Sequence, residues 1–303
     1  MSKPSGSKEK ESQYERTERE LQRELAFHEQ AFGKDHPKVA ETLNCLAAHR
    51  KAHDRAAEAI PLYERMLAIA EKTHGKDHLE VASVLSELVE LYELHGRAAE
   101  AEPLYLRALA IYEQAHGSMN QSVAATLNNL ALLYYEQGRC KEAVPLLHRA
   151  LAISEQLFGA EHLRVAVTLK NLGVMHFKQE QEEAAKPFLE RALAIQEKNL
   201  GKEHPTLTAN MISLAGVSYA LGDADAAEQL LQRALAIREK AYGSQHPETA
   251  ETMSWLAGLY EELGRYEASE MLYECALVNM KAKFPDGHPD LSKYEECYAR
   301  LQA

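Results

Sequence analysis

Excess basic charge, long apolar runs, paired cysteines and strand-like alternation are all missing from this 303-residue chain. The formal net charge is −12, and a nucleic-acid binder carries a basic stripe, so DNA and RNA are excluded as expected partners. The longest apolar stretches, such as Leu130 to Tyr135, fall far short of the about 20 residues that cross a bilayer, so no membrane insertion is expected. Cys45, Cys140, Cys275 and Cys297 show no paired spacing, which suits a reducing compartment and a cytoplasmic address. The Asn120-Gln121-Ser122 sequon then has no role. Met1 to Arg19 is polar, without the apolar core of a secretory signal. No His-Glu-x-x-His, no Gly-x-x-x-x-Gly-Lys loop and no paired-cysteine zinc motif occurs. No catalytic residue, cofactor or metal is therefore expected, and the chain reads as a non-enzyme.

What the chain does have is a beat. Gly33, Gly75, Gly117, Gly159, Gly201 and Gly243 recur every 42 residues. Three residues after each stands His36, His78, Asn120, His162, His204 or His246, and His288 continues the series. A period of this size marks stacked supersecondary units that bury apolar faces against their neighbours. One histidine per unit cannot build a metal site. Helices packed about 8–10 Å apart keep equivalent imidazoles too distant to share an ion that needs ligands at about 2 Å. A structural role at each junction is expected instead.

Within a unit, Leu127, Leu130 and Tyr134 recur at helical spacing, Gly138 interrupts, and Ala143, Leu146, Leu147, Ala150, Leu151 and Ile153 define a second helix. The second helices share small residues at Ala59, Ala101, Ala143, Ala185, Ala227 and Ser269, and again at Ala108, Ala150, Ala192, Ala234 and Ala276, with Met66 the exception. A leucine column, Leu67 to Leu277, fills between them. Pro37, Pro205, Pro247 and Pro289 suit first helical positions, where a missing N–H costs nothing.

The expected fold is all-α: a right-handed superhelical solenoid of six helix-turn-helix repeats. Its expected divisions are a disordered tail at 1–15, an orphan second helix at 16–32, repeats at 33–74, 75–116, 117–158, 159–200, 201–242 and 243–284, and a capping helix at 285–303. Tyr294, Tyr298 and Leu301 should face inward on that cap.

Thr126-Leu127-Asn128-Asn129-Leu130-Ala131-Leu132-Leu133-Tyr134-Tyr135, Gly138-Arg139, Glu142-Ala143 and Arg149-Ala150-Leu151-Ala152-Ile153 together resemble a tetratricopeptide repeat. The 42-residue variety found in kinesin light chains is the better likeness, including the Gly-Lys-Asp-His-Pro junction at Gly33 to Pro37. It covers roughly residues 16 to 301, without the long heptad segment of full light chains.

The resemblance implies an adaptor or scaffold whose first helices line a concave groove for a short linear peptide of a protein partner. By the same resemblance, a motor or cytoskeletal-transport complex is the implied setting. Family members use asparagine to hold the peptide backbone, and Asn129 and Asn171 match that column. An amide can donate and accept as a peptide does. Asn128, Lys170 and Ser213 stand beside them, Leu132 and Val174 lie one turn on, and Tyr135, Phe177 and Tyr219 add aromatics. Trp255 extends the apolar surface. Glu87, Glu90 and Glu93 cluster in the second repeat, whereas Lys170 and Lys178 make the evident basic spot. The acidic-peptide preference of the family is therefore expected to be altered. Val174 stands where a chaperone-adaptor clamp would carry arginine. The alternative is a structural, ciliary or signalling scaffold component that uses its convex face or terminal helices and self-associates through Leu21, Leu25 and Phe32.

Overall fold

The computed structural model describes residues 6–53, 55–284 and 291–301, with side chains from residue 13 onward. Among the described residues there are only helices and turns. They form two compact units, divided between Arg139 and Cys140. The division falls inside the third expected repeat, between its two helices.

The first unit holds α1 (Gly6–Phe32), α2 (Pro37–Lys51), α3 (Ile60–His74), α4 (Leu79–Leu94), α5 (Ala98–His116) and α6 (Gln121–Glu136). A short 3-10 turn, Ala56–Ala59, leads into α3. The second unit holds α7 (Cys140–Phe158), α8 (Leu163–Lys178), α9 (Glu182–Leu200), α10 (Leu207–Ala220), α11 (Ala224–Tyr242), α12 (Pro247–Glu262), α13 (Tyr266–Lys283) and α14 (Leu291–Leu301). Within each unit every helix packs on its neighbours in sequence. The helix expected at 16–32 is the C-terminal part of α1. The closing helix is α14, with Tyr294 buried and Tyr298 half-buried. Residues 1–5 of the expected tail, and His288 and Pro289, lie outside the described residues.

The periodic residues explain the junctions. Gly117 follows α5 at φ 77°, a conformation that penalises any Cβ, and its N–H closes onto the Glu113 carbonyl at 2.9 Å. The histidines cap the next helix. His36, His78, His162 and His246 each accept a backbone N–H two residues on through Nδ1, at 3.1–3.3 Å. Asn120 does the same through Oδ1 at 2.7 Å. This is ordinary N-capping, worth about 1 kcal/mol per cap. Phe32, Phe158 and Tyr242 stack on the imidazoles that follow them. Pro37 and Pro247 open their helices as expected, whereas α10 starts two residues beyond Pro205.

The small-residue columns are fully buried, which lets second helices sit close to their partners. Gly173 marks the tightest approach: a Cβ there would meet Leu189 Cγ at 2.5 Å. A repeated arginine ties second helices together. Arg65, Arg107, Arg191 and Arg233 each pair with a glutamate one helix pair back (Glu29, Glu71, Glu155, Glu197) at 2.5–2.6 Å. Each also donates to a carbonyl of the intervening loop. Through Glu29, α1 behaves as the second helix of an incomplete pair. Its Phe27 is 63% exposed, whereas the residues at the same place in later repeats, Ile69 to Ile237, are buried.

Candidate functional site

The sequence-predicted residues stand on first helices, α6 in the first unit and α8, α10 and α12 in the second. The second helices floor the clefts between successive first helices. Side chains of both kinds of helix therefore decide what a cleft contains.

In the first unit, a cleft of about 340 Å³ opens between α2 and α4. Tyr63, Met66, Ile69 and Ala70 of α3 form its floor with Val84, and Glu41, Asn44, Glu80 and Glu87 stand at its rim. Lys51 reaches across to Glu87 and Glu90, each at 3.0 Å. Burial works against the Lys51 ammonium, but the two carboxylates outweigh it and raise its pKa. The Tyr63 hydroxyl donates to Glu87 at 3.2 Å. Burial first, and Glu87 next, push Tyr63 up to about 12.

The next cleft, about 380 Å³ between α4 and α6, is lined by Ser86, Glu90, Glu93, Tyr105, Tyr112 and Asn129. The Tyr105 hydroxyl donates to Glu93 at 3.0 Å and also meets the Asn129 side chain. Burial, then the Glu93 charge, raises Tyr105 well above the ordinary phenol range. Glu93 is itself raised, chiefly by burial, with Glu136 and Glu90 adding like-charge repulsion. Asn129 is exposed on this cleft. Asn128 is half-buried and donates to its own helix at the Ala124 carbonyl, 3.0 Å away. Leu132 is exposed and Tyr135 half-buried.

The second unit differs residue by residue. Asn171 is only 5% exposed, so it is built into α8's packing rather than displayed like Asn129. Lys170 is half-buried, and desolvation lowers its pKa. Val174 is half-buried. Phe177 lies over α10, where a Cβ on Gly216 would meet its ring at 3.3 Å. Tyr219 packs against the buried cluster that holds Ala215, Leu231, Leu256 and Leu259. These two aromatics serve inter-helix packing. Ser213 donates to Ala209 within its own helix, at 3.1 Å. Trp255 is 50% exposed, with the Lys293 ammonium 5.7 Å from its ring centre.

Sequence reasoning from first helices alone missed the floors. One column of the second helices reads Ala70, Tyr112, Ser154, Gln196, Arg238 and Met280, no two alike. In the second unit Asn210, fully buried on α10, donates to Gln196 at 3.2 Å and to the Leu189 carbonyl at 3.1 Å. Arg238 fills the following cleft, donating to Thr208, Thr252, Glu251 and the Glu248 carbonyl. The signal that could have found them was that variability inside a strict period. Among the described residues, no group of three or more His, Cys, Asp or Glu is placed to hold a metal ion. Nor is any described helix long and apolar enough to cross a membrane.

Helix pairs with side-chain-lined clefts between their first helices define a helical-repeat array, a fold typical of protein–protein interaction scaffolds. The tetratricopeptide repeat model matches residues 38–114, 122–198 and 206–282, and the chain belongs to that family. It is similar to BtubC (BKLC) of P. vanneervenii at 28% identity and a TM-score of 0.64, covering 76% of this chain and 92% of that one. A protein of Podosopora anserina, provisionally named a kinesin light chain and carrying nearly identical TPR-like repeats, is 30% identical, with a TM-score of 0.60. That match covers 68% of this chain and 97% of the other. The apo form of RapI, at 18% identity, with a TM-score of 0.61 and coverage of 82% and 85%, shares the fold. A search of curated proteins finds no match.

Proposed function

We propose that the chain is an adaptor that holds a short linear segment of a protein partner along the faces of its first helices. The observation that carries this reading is the cleft between α4 and α6, where exposed Asn129 stands over a floor of Tyr105 and Tyr112. Such a cleft offers an amide for backbone pairing and aromatic surface for a side chain. In the first unit, Asn128, Asn129, Leu132 and Tyr135 are the proposed contacts. In the second they are Lys170, Asn171, Val174, Phe177, Ser213, Tyr219 and Trp255. Asn171, Phe177 and Tyr219 act there by shaping the cleft, given their packing against neighbouring helices. A cytoplasmic address and a place in motor or cytoskeletal transport are the finer form of this reading, supported by the likeness to light-chain-type repeats. Binding, not catalysis, is the proposed role.

Affinity capture with the wild type beside Asn129→Ala and Trp255→Ala tests it, since both positions are exposed and the fold should survive. Partners lost from Asn129→Ala support the contacts proposed in the first unit, and partners lost from Trp255→Ala those in the second. An unchanged set would refute that placement. A second reading, self-association through α1, is favoured by one observation, the exposed Phe27 and Phe32. Light scattering with Phe27→Ser decides that point, because a dimer held by this face must dissociate.

A further inference from the structure

The α2–α4 cleft has a chemical polarity that the groove reading leaves unused. Its floor is apolar, from Met66, Ile69 and Val84, while the rim above it is acidic. The volume, about 340 Å³, lies at the small end of the range of about 300–1,000 Å³ usual for ligand clefts. Met66 breaks the small-residue column that elsewhere reads alanine, and Val84 replaces the threonine found at Thr42, Thr126 and Thr168. Each change adds hydrocarbon at its own position on this floor.

At the rim, Glu41, Glu80 and Glu87 face the opening. Lys51 is shared between Glu87 and Glu90, and Lys38 contacts Glu41 at 3.3 Å on an exposed flank. Two lysines thus stand against four carboxylates, Glu90 included, and contact three of them. The Tyr63 hydroxyl donates to Glu87 at 3.2 Å, which places that carboxylate directly over the floor. An apolar floor under a negative rim complements a side chain with a hydrocarbon body between cationic neighbours.

We infer that this cleft takes an apolar side chain of the partner segment flanked by lysine or arginine. The inference deepens the groove reading for the first unit and rests on it. Acidic flanks are disfavoured here, because bringing carboxylates beside Glu80 and Glu87 adds like-charge repulsion.

Two short fluorescein-labelled peptides test the inference. They share leucines at the same positions and differ only in carrying lysine or glutamate beside them. Anisotropy titration should show the lysine peptide binding at least about tenfold tighter, with the preference shrinking as salt screens it. Glu80→Gln with Glu87→Gln should remove the preference. Ser83→Tyr, at an exposed lining position, should weaken both peptides by plugging the mouth. Equal or tighter binding of the glutamate peptide, no binding of the lysine peptide up to about 1 mM, or a preference that survives the double substitution would each overturn the inference. Partners lost from Asn129→Ala while the peptides show no preference would leave the groove standing and remove only this inference. Preferred binding of the lysine peptide that is lost with Ser83→Tyr, while capture is unchanged in the Asn129 and Trp255 variants, would keep the α2–α4 cleft as a peptide site and remove the contacts proposed on α6 and α12.

Discussion

The two units use one helix-pair plan and line it with different chemistry. In the first, carboxylates and tyrosine hydroxyls meet at open clefts: Glu87 with Tyr63, Glu93 with Tyr105. In the second, the clefts carry amides, an arginine and aromatics that close onto neighbouring helices: Asn210 on Gln196, Arg238 between α10 and α12, Phe177 over Gly216. The lesson is that a repeat can change what it presents without changing how it stacks. The stacking columns are small and apolar in both units, and the variable residues sit beside them.

Removing the arginine is the sharpest way to break this contrast. Arg238 is 5% exposed and donates to four groups, so Arg238→Met should cost about 3 kcal/mol by removing these hydrogen bonds from a buried site. Urea denaturation with hydrogen exchange should place the loss in α10 to α12. The corresponding Tyr112→Met in the first unit should cost clearly less, because Tyr112 is only half-buried.

Next in size is a test of close approach. Gly173→Ala forces a Cβ against buried Leu189 and within 3.2 Å of the Ala185 carbonyl. Overpacking of about 1–3 kcal/mol should exceed the roughly 1 kcal/mol gained in helix propensity. The control, Gly216→Ala, meets only the Phe177 ring at 3.3 Å and should be close to neutral in the same thermal melts.

The smallest effect concerns charge in the first unit. Glu93 has a raised folded pKa, so the folded state binds its proton more tightly than the unfolded chain does. Its contribution to stability is therefore complete in acid and is lost as pH rises through the folded value. Glu93→Gln should accordingly stabilise the protein slightly at neutral pH while keeping an acceptor for Tyr105. That gain should vanish below the ordinary glutamate range. A neutral-pH loss on this substitution would show that the Tyr105 bond to a full charge outweighs burial.

Much of the architecture was legible in the residues. The 42-residue glycine beat, the small-residue columns and the prolines name helix boundaries because each answers a local demand: positive φ, close backbone approach or a missing donor. The histidines were readable as junction residues, though their task, accepting a backbone N–H at the helix start, is set by the turn that brings each ring over its own helix. The candidate site was less legible. Asn129 and Asn171 occupy one column, yet one is displayed and the other buried, because burial depends on the neighbouring helices and not on position in the repeat. Tyr105, Tyr112 and Arg238 escaped notice because second helices were read only as packing surfaces.

By itself the sequence determined that this is an all-helical repeat chain of the tetratricopeptide kind. Periodicity and local backbone chemistry suffice for that. Only the tertiary structure decided which side chains remain at the surface of a cleft, which polar groups satisfy one another inside it, and where hydrocarbon lies open beneath carboxylates. Those properties arise from three helices meeting at once, and no single segment encodes such a meeting.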